Sequence, residues 1–181
     1  NLDHKVKKWL NIGVNTSFGW TSKDVPNGAW YTFLTRTPLA KIYEEDGSWS
    51  TYINSKGDRN PMYSAQHDQR KTTANNYRIN AFADITPFRG FSYRINASYY
   101  NRVREEGKSR DSKYPGGGST ASLYDYTTVN KQLENIINYT VPLKNRHNLV
   151  LTGVQSVDQR LSKDLGYAVQ NLPADKNWNF L

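Results

Sequence analysis

Apolar and polar side chains alternate one for one over long stretches of this chain. A chain so patterned forms β-strands with one greasy and one wet face. The clearest stretch is 76–103, where Tyr77, Ile79, Ala81, Ala83 and Ile85 alternate with Arg78, Asn80, Phe82 and Asp84. After Thr86-Pro87-Phe88-Arg89-Gly90 the alternation resumes. Phe91, Tyr93, Ile95, Ala97, Tyr99 and Val103 then interleave with Ser92, Arg94, Asn96, Ser98, Tyr100 and Arg102. Pro87 and Gly90 mark a tight turn, so the spacing predicts a long β-hairpin. The pentapeptide Tyr-Arg-Ile-Asn-Ala stands at both 77–81 and 93–97, two strands meeting the same pair of environments.

The same period runs from Val6 to Trp20 through Leu10, Ile12, Val14 and Phe18, with only Trp9 out of step. It predicts one strand of nearly 50 Å, against ~17–20 Å for an ordinary strand. A second hairpin is expected where Val129, Leu133, Ile137, Tyr139 and Val141 alternate with Asn130, Gln132, Glu134, Asn138 and Thr140. It turns at 142–147 and returns over 148–157, with Ile136 and Val150 on the wrong face. Residues 128–138 suit a short helix by propensity, but the β-branched run Thr127-Thr128-Val129 favours strand. The connections 21–75, 104–122 and 158–178 are long and polar, whereas both turns are short. Short turns at one end and long loops at the other are the build of a transmembrane β-barrel. A soluble β-sandwich also alternates, with shorter strands and more frequent turns, and stays open as a reading.

Composition narrows the chemistry. With no Cys, disulfide frameworks, Cys-based zinc sites and thiol nucleophiles are excluded. No apolar run exceeds three residues, so no helix spans a bilayer. Aromatic residues make up 13% of the chain, too many for simple disorder. Asn1 opens the chain without a secretory leader, so a processed chain or a piece of a longer one is expected. His4, His67 and His147 stand apart, with no metal-ligating spacing. Glu44-Glu45-Asp46-Gly47 lacks the alternating oxygens of a calcium loop and is expected to be an acidic turn. Gly116-Gly117-Gly118-Ser119-Thr120 lacks the lysine of a phosphate loop. No nucleophile–base pattern is present, so no enzyme and no cofactor is expected.

A net charge of +8 admits a nucleic-acid partner, and Arg89-Gly90-Phe91-Ser92-Tyr93 partly echoes an RNA-binding strand. Arg94 takes the next place, which such a strand keeps apolar, so nucleic acid is not the expected partner. The loop aromatics Trp49, Tyr52, Tyr63, Tyr114, Tyr124 and Tyr126 are the candidate ligand contacts, able to stack on a sugar or peptide or to pack the loops. Trp9, Trp20, Tyr77, Tyr93, Tyr99, Tyr100 and Tyr139 suit an interfacial girdle.

Four segments resemble the SusC/RagA-type TonB-dependent outer-membrane transporters of the Bacteroidetes group. Thr37-Pro38-Leu39-Ala40-Lys41-Ile42-Tyr43-Glu44-Glu45-Asp46-Gly47 is similar to that family's "PLAPIYD-DG" stretch, and Asn60-Pro61-Met62 to its following "NP" element. Asn80 to Arg94 resembles its "NAYLEYEI-PGLKFR" hairpin, and His147 to Gln155 its "H-L-LLAGYS" strand. Order and spacing match over roughly 5–180. The resemblance implies an all-β fold across 1–181: an antiparallel, long-stranded sheet of about five or six strands, part of a barrel wall of about 22. The loops 21–75, 104–122 and 158–178 would be extracellular. It further implies import of glycans or peptides across the bacterial outer membrane. The implied partners are lipid, the rest of the barrel and its plug, a SusD-like lipoprotein lid, and TonB acting through a region outside this chain. A soluble carbohydrate-binding β-sandwich and a basic nucleic-acid binder remain the alternatives. They differ in where the apolar stripe goes, to lipid in the barrel and onto a second sheet in the sandwich.

Overall fold

A computed structural model describes residues 1–25, 39–143, 147–172 and 177–181. They form one six-stranded sheet in the order β1-β2-β3-β4-β5-β6. The strands are β1 (Leu2–Lys7), β2 (Leu10–Asp24), β3 (Asp68–Ile85), β4 (Phe91–Arg110), β5 (Thr120–Val141) and β6 (Leu149–Gln170). A short helix, α1 (Pro61–His67), precedes β3, and a 3-10 turn covers Trp178–Phe180. The all-β expectation holds, as an up-and-down meander in which neighbours in sequence are neighbours in the sheet.

Two expectations need correction. The single strand over 6–20 is a hairpin that turns at Lys8 and Trp9, with β1 antiparallel to β2. Leu2 faces Val14 and His4 faces Ile12, so even positions of both strands share a face up to Lys5, and a register shift between Lys5 and Lys7 then sets Lys7 opposite Leu10 beside the turn. The alternation therefore continues straight through the turn, and Trp9 is the turn itself. The second correction concerns loop bounds. β2 and β3 take residues from both ends of 21–75, β4 and β5 shorten 104–122 to 111–119, and β6 runs through 158–170. A backbone ladder needs no apolar side chain to continue, so the strands outlast the alternation that announced them. Within 21–75 and 158–178, residues 26–38 and 173–176 lie outside the described residues, as do Thr37-Pro38 of the family-like stretch and 144–146 of the second turn.

Cα proximity divides the chain into two units. The first, 1–20, 75–103 and 126–163, carries the tight turns. Thr86 donates its N–H to Trp9 O at 2.8 Å and Thr140 donates to Gly90 O at 2.7 Å, which brings the turns at 8–9 and 86–90 and the end of β5 together at one end of this unit. Gly90 has φ +87, and a Cβ there would stand 2.8 Å from Thr140 O, so only glycine fits. Side chains sort by parity. Phe18 meets Tyr77 (ring centroids 5.2 Å apart) on the apolar face. On the polar face Asn96 donates to Glu134 at 3.0 Å and Thr152 to Asn138 at 2.8 Å. Phe82 also sits on the polar face. Arg94 lies 5.0 Å from its ring, and Gly13 leaves room for it.

The second unit, 21–74, 104–125 and 164–181, carries the loops. Among the described residues every buried apolar side chain belongs to it: Ile53, Ala74, Tyr114, Ala121 and Trp178. The first unit buries none.

Candidate functional site

Beyond Val103 the polar side of β4 carries Arg104, Glu106, Lys108 and Arg110 on alternate residues, about 6.6 Å apart. From β3, Asp68 and Arg70 join them. Glu106 is 5% exposed and accepts from Arg70 and from Lys108, each at 2.9 Å, while Arg104 lies 3.6 Å away. Burial pushes the Glu106 carboxyl up, but hydrogen bonds from Lys108 and Arg70 and their positive charges outweigh it and hold it below the usual glutamate range. Asp68 accepts from Arg110 at 3.0 Å.

Exposure separates the two signs of charge. The side chains of Glu106 and Asp68 are 6% and 11% exposed, whereas those of Arg104, Arg70, Lys108 and Arg110 are 36% to 45% exposed. The carboxylates are struts at the base and the cations form the visible surface. Of these residues Asp68, Arg70, Lys108 and Arg110 line a cleft of about 470 Å³ together with Tyr124 and Gln170. Low-dielectric walls of one charge focus potential and concentrate oppositely charged solutes.

Local folding holds the row in place. Tyr43 pairs with Trp49 and Tyr52 with Arg59 as isolated β-bridges, which fold 41–60 into a knot around Ser50, Ile53 and Asn60. Asn60 is 1% exposed. Its Nδ2 donates to Ile42 O at 2.9 Å and to Ser50 Oγ at 3.3 Å, while its Oδ1 accepts Met62 N–H at 3.0 Å and caps α1. Pro61 at the first helical position costs no hydrogen bond there. At the far end of α1, His67 Nδ1 lies 2.5 Å from Asp111 Oδ2, and Tyr63 donates to Lys113 O at 2.8 Å. The 111–119 connection is thereby tied to the helix. The acidic turn expected at 44–47 is present, with Gly47 at φ +82. Hydrogen bonds from the Ser48 hydroxyl and N–H lower the Asp46 pKa.

The candidate aromatics are spread over this scaffold. Trp49 stacks on Tyr43 at 4.6 Å, and Tyr52 is exposed, both in the 41–60 knot. Tyr63 packs against His67 at 4.3 Å. Tyr114 is 6% exposed, with Arg59 and Arg110 guanidinium carbons 4.7 and 4.4 Å from its ring centre. Tyr124 lies in the cleft, with Lys108 Nζ 5.5 Å from its ring, against Gly166. Tyr126, on β5, falls in the first unit. Tyr63 and Tyr114 thus share the 111–119 connection, and the six do not converge on one spot.

Sequence reasoning passed over Arg70, Arg104, Glu106, Lys108 and Arg110, because it placed Arg70 and 104–110 in loops. The available signal was the unbroken period of charged residues at even positions from Arg102 to Arg110, continuous with Arg94, Asn96 and Ser98.

No family model matches the chain. It is 24% identical over 173 residues to TonB-dependent receptor P26 of Formosa agariphila, covering 91% of this chain and 17% of that protein. Among solved structures it is similar to the RagAB peptide transporter, with a TM-score of 0.80 at 16% identity, covering 96% of this chain and 21% of that one. The RagAB peptide importer in its "closed-closed" and "open-open" states gives TM-scores of 0.78. The chain spans about a fifth of the length of the proteins it matches.

Proposed function

We propose, from the premise that this chain is of SusC/RagA type in sequence and fold, that it is a barrel-wall and loop segment of a TonB-dependent importer in the bacterial outer membrane. The observation that carries this reading is the uncovered apolar stripe. Phe18 and Trp20 are 65% and 67% exposed, and on β6 Val157 and Leu161 are 56% and 65% exposed. Ile79, Leu133 and Ile137 lie on the same side of the sheet and are exposed too. A soluble sandwich would bury this stripe under a second sheet, and among the described residues none lies over it. Hydrocarbon is the solvent such a face suits, with the polar face turned to a wet interior.

Strands β3 to β6 hold 18 to 22 residues, roughly twice the ~9–11 needed to cross a bilayer. In this reading the excess stands above the membrane and bears the loops, with the tight turns in the periplasm. Cargo is a glycan or a peptide, as in the peptide transporter whose wall this fold shares. A SusD-like lipoprotein would close over the loops, and TonB would act through another part of the protein. The reading assigns the segment no catalysis.

Because the segment has no Cys, the test is direct. Single cysteines at 93, 94, 95 and 96 in a Cys-free full-length transporter carry a fluorophore, in liposomes containing brominated lipid. Quenching by lipid is expected at 93 and 95, and quenching by aqueous iodide at 94 and 96. Equal quenching at all four positions would overturn the reading.

A further inference from the structure

We propose that the basic row of the loop-bearing unit binds an acidic peptide in extended conformation. The inference rests on the importer reading only for placing the row on a cargo path. The site is built from charge, geometry and the disposition of its aromatics.

The cleft presents positive charge because its carboxylates are buried beneath its cations. Glu106 serves Arg70 and Lys108, Asp68 serves Arg110, and the outward parts of those cations stay accessible. Arg59 adds charge at the edge of the row. It donates to Tyr114 Oη at 2.8 Å and to Pro115 O at 3.0 Å, both neutral acceptors. Guanidinium groups in such an arrangement favour planar carboxylates, which they hold through paired N–H donors.

Spacing selects the form of the ligand. Lys108 and Arg110 stand one alternate step apart on β4, and Arg104 two steps from Lys108. Same-side side chains of an extended peptide repeat at that step of about 6.6 Å, so alternate acidic residues would meet successive cations. The aromatics argue against a sugar. Tyr114 is buried beneath two guanidiniums, and Tyr124 leans on Gly166 with Lys108 over its ring. Neither offers the open ring face on which a pyranose stacks.

The test uses the full-length transporter in detergent and a fluorescent peptide of alternating Glu and Ser. A Gln-Ser peptide of equal length is the neutral control, and a galacturonate tetramer is the saccharide competitor. The Glu peptide is expected to bind, to weaken steeply with salt, and to be displaced poorly by the tetramer. Lys108→Gln with Arg110→Gln should weaken it by about tenfold or more, since each removes a charge-assisted hydrogen bond. Glu106→Gln, which keeps every cation and removes a buried negative charge, should strengthen it. That opposite response separates charge recognition from damage to the fold. Equal binding of the Gln peptide, or stronger binding of the tetramer, would overturn the proposal. So would row variants that lower thermal stability without changing affinity, since the row would then brace the wall against another part of the protein. Lipid quenching at 93 and 95 persists in each of those cases, so failure here is distinct from failure of the importer reading.

Discussion

Asn60 shows how one polar residue can be worth more than the apolar residues around it. Its amide satisfies the Ile42 carbonyl, the Ser50 hydroxyl and the Met62 N–H while almost fully buried. Asn60→Ala removes a helix cap, worth about 1 kcal/mol. It also removes the donations to the Ile42 carbonyl, which keeps the Ser50 N–H at 3.0 Å, and to the Ser50 hydroxyl, each worth about 0.5–1.5 kcal/mol. Asn60→Asp keeps the cap acceptor and loses the two donations. The expected order of resistance to limited proteolysis within 41–60 is therefore wild type, then Asp, then Ala, and a fully resistant Ala variant would show that the knot is held by other contacts. The Asn60-Pro61 pair is legible in the sequence as a family-like element, and its cap chemistry follows from residue type. Its burial is not legible, because the partners that surround it lie 10 and 18 positions away. Tyr114 makes the reverse case: its type suggests a stacking ligand contact, and only the fold reveals the guanidiniums of Arg59 and Arg110 over its ring.

Strand faces were the most legible feature at the scale of elements, because period two is imposed by the pleat itself. Tyr77 with Phe18 on one side, and Asn96 with Glu134 on the other, fall where alternation assigns them. Strand ends were the least legible. Leu165, Tyr167 and Val169 alternate with Gly166 and Ala168, a signal that extends β6 into what otherwise looks like loop. In β4 the apolar half of the signal stops, since Glu105, Gly107 and Ser109 occupy the side that was apolar below, and only the charged residues at even positions carry the period on to Arg110. The β1–β2 turn escapes for a different reason: a tight turn that keeps even positions on one face leaves the alternation unbroken. The consequence for stability follows the faces. Ile95 lies four residues past the first residue of β4, which on the barrel-wall reading sets it near the middle of an apolar band about 25 Å tall. Ile95→Arg should cost roughly 2–4 kcal/mol in a bilayer refolding titration, and Asn96→Arg much less. Equal losses would mean that both faces meet the same solvent.

For the whole molecule, the distribution of the core is the decisive fact. The unit formed by 1–20, 75–103 and 126–163 buries no apolar residue among those described, yet its strands are long and regular. Hydrogen bonds alone leave little net stability in water, because each replaces a bond to solvent. Such a unit needs hydrocarbon or protein against its apolar side to be stable. The sheet also ends at β1 and β6, whose outer backbone groups have no strand partner among the described residues. Edges of that kind recruit other strands, and closure is how barrels remove them. The 181 residues alone in detergent-free buffer are therefore expected to associate through the stripe and the two edges. Sedimentation velocity should show a broad distribution of oligomers that detergent narrows. A sharp monomer boundary with a cooperative thermal transition would require the stripe to be covered from within the chain, and the barrel-wall reading would then give way to a soluble β-domain.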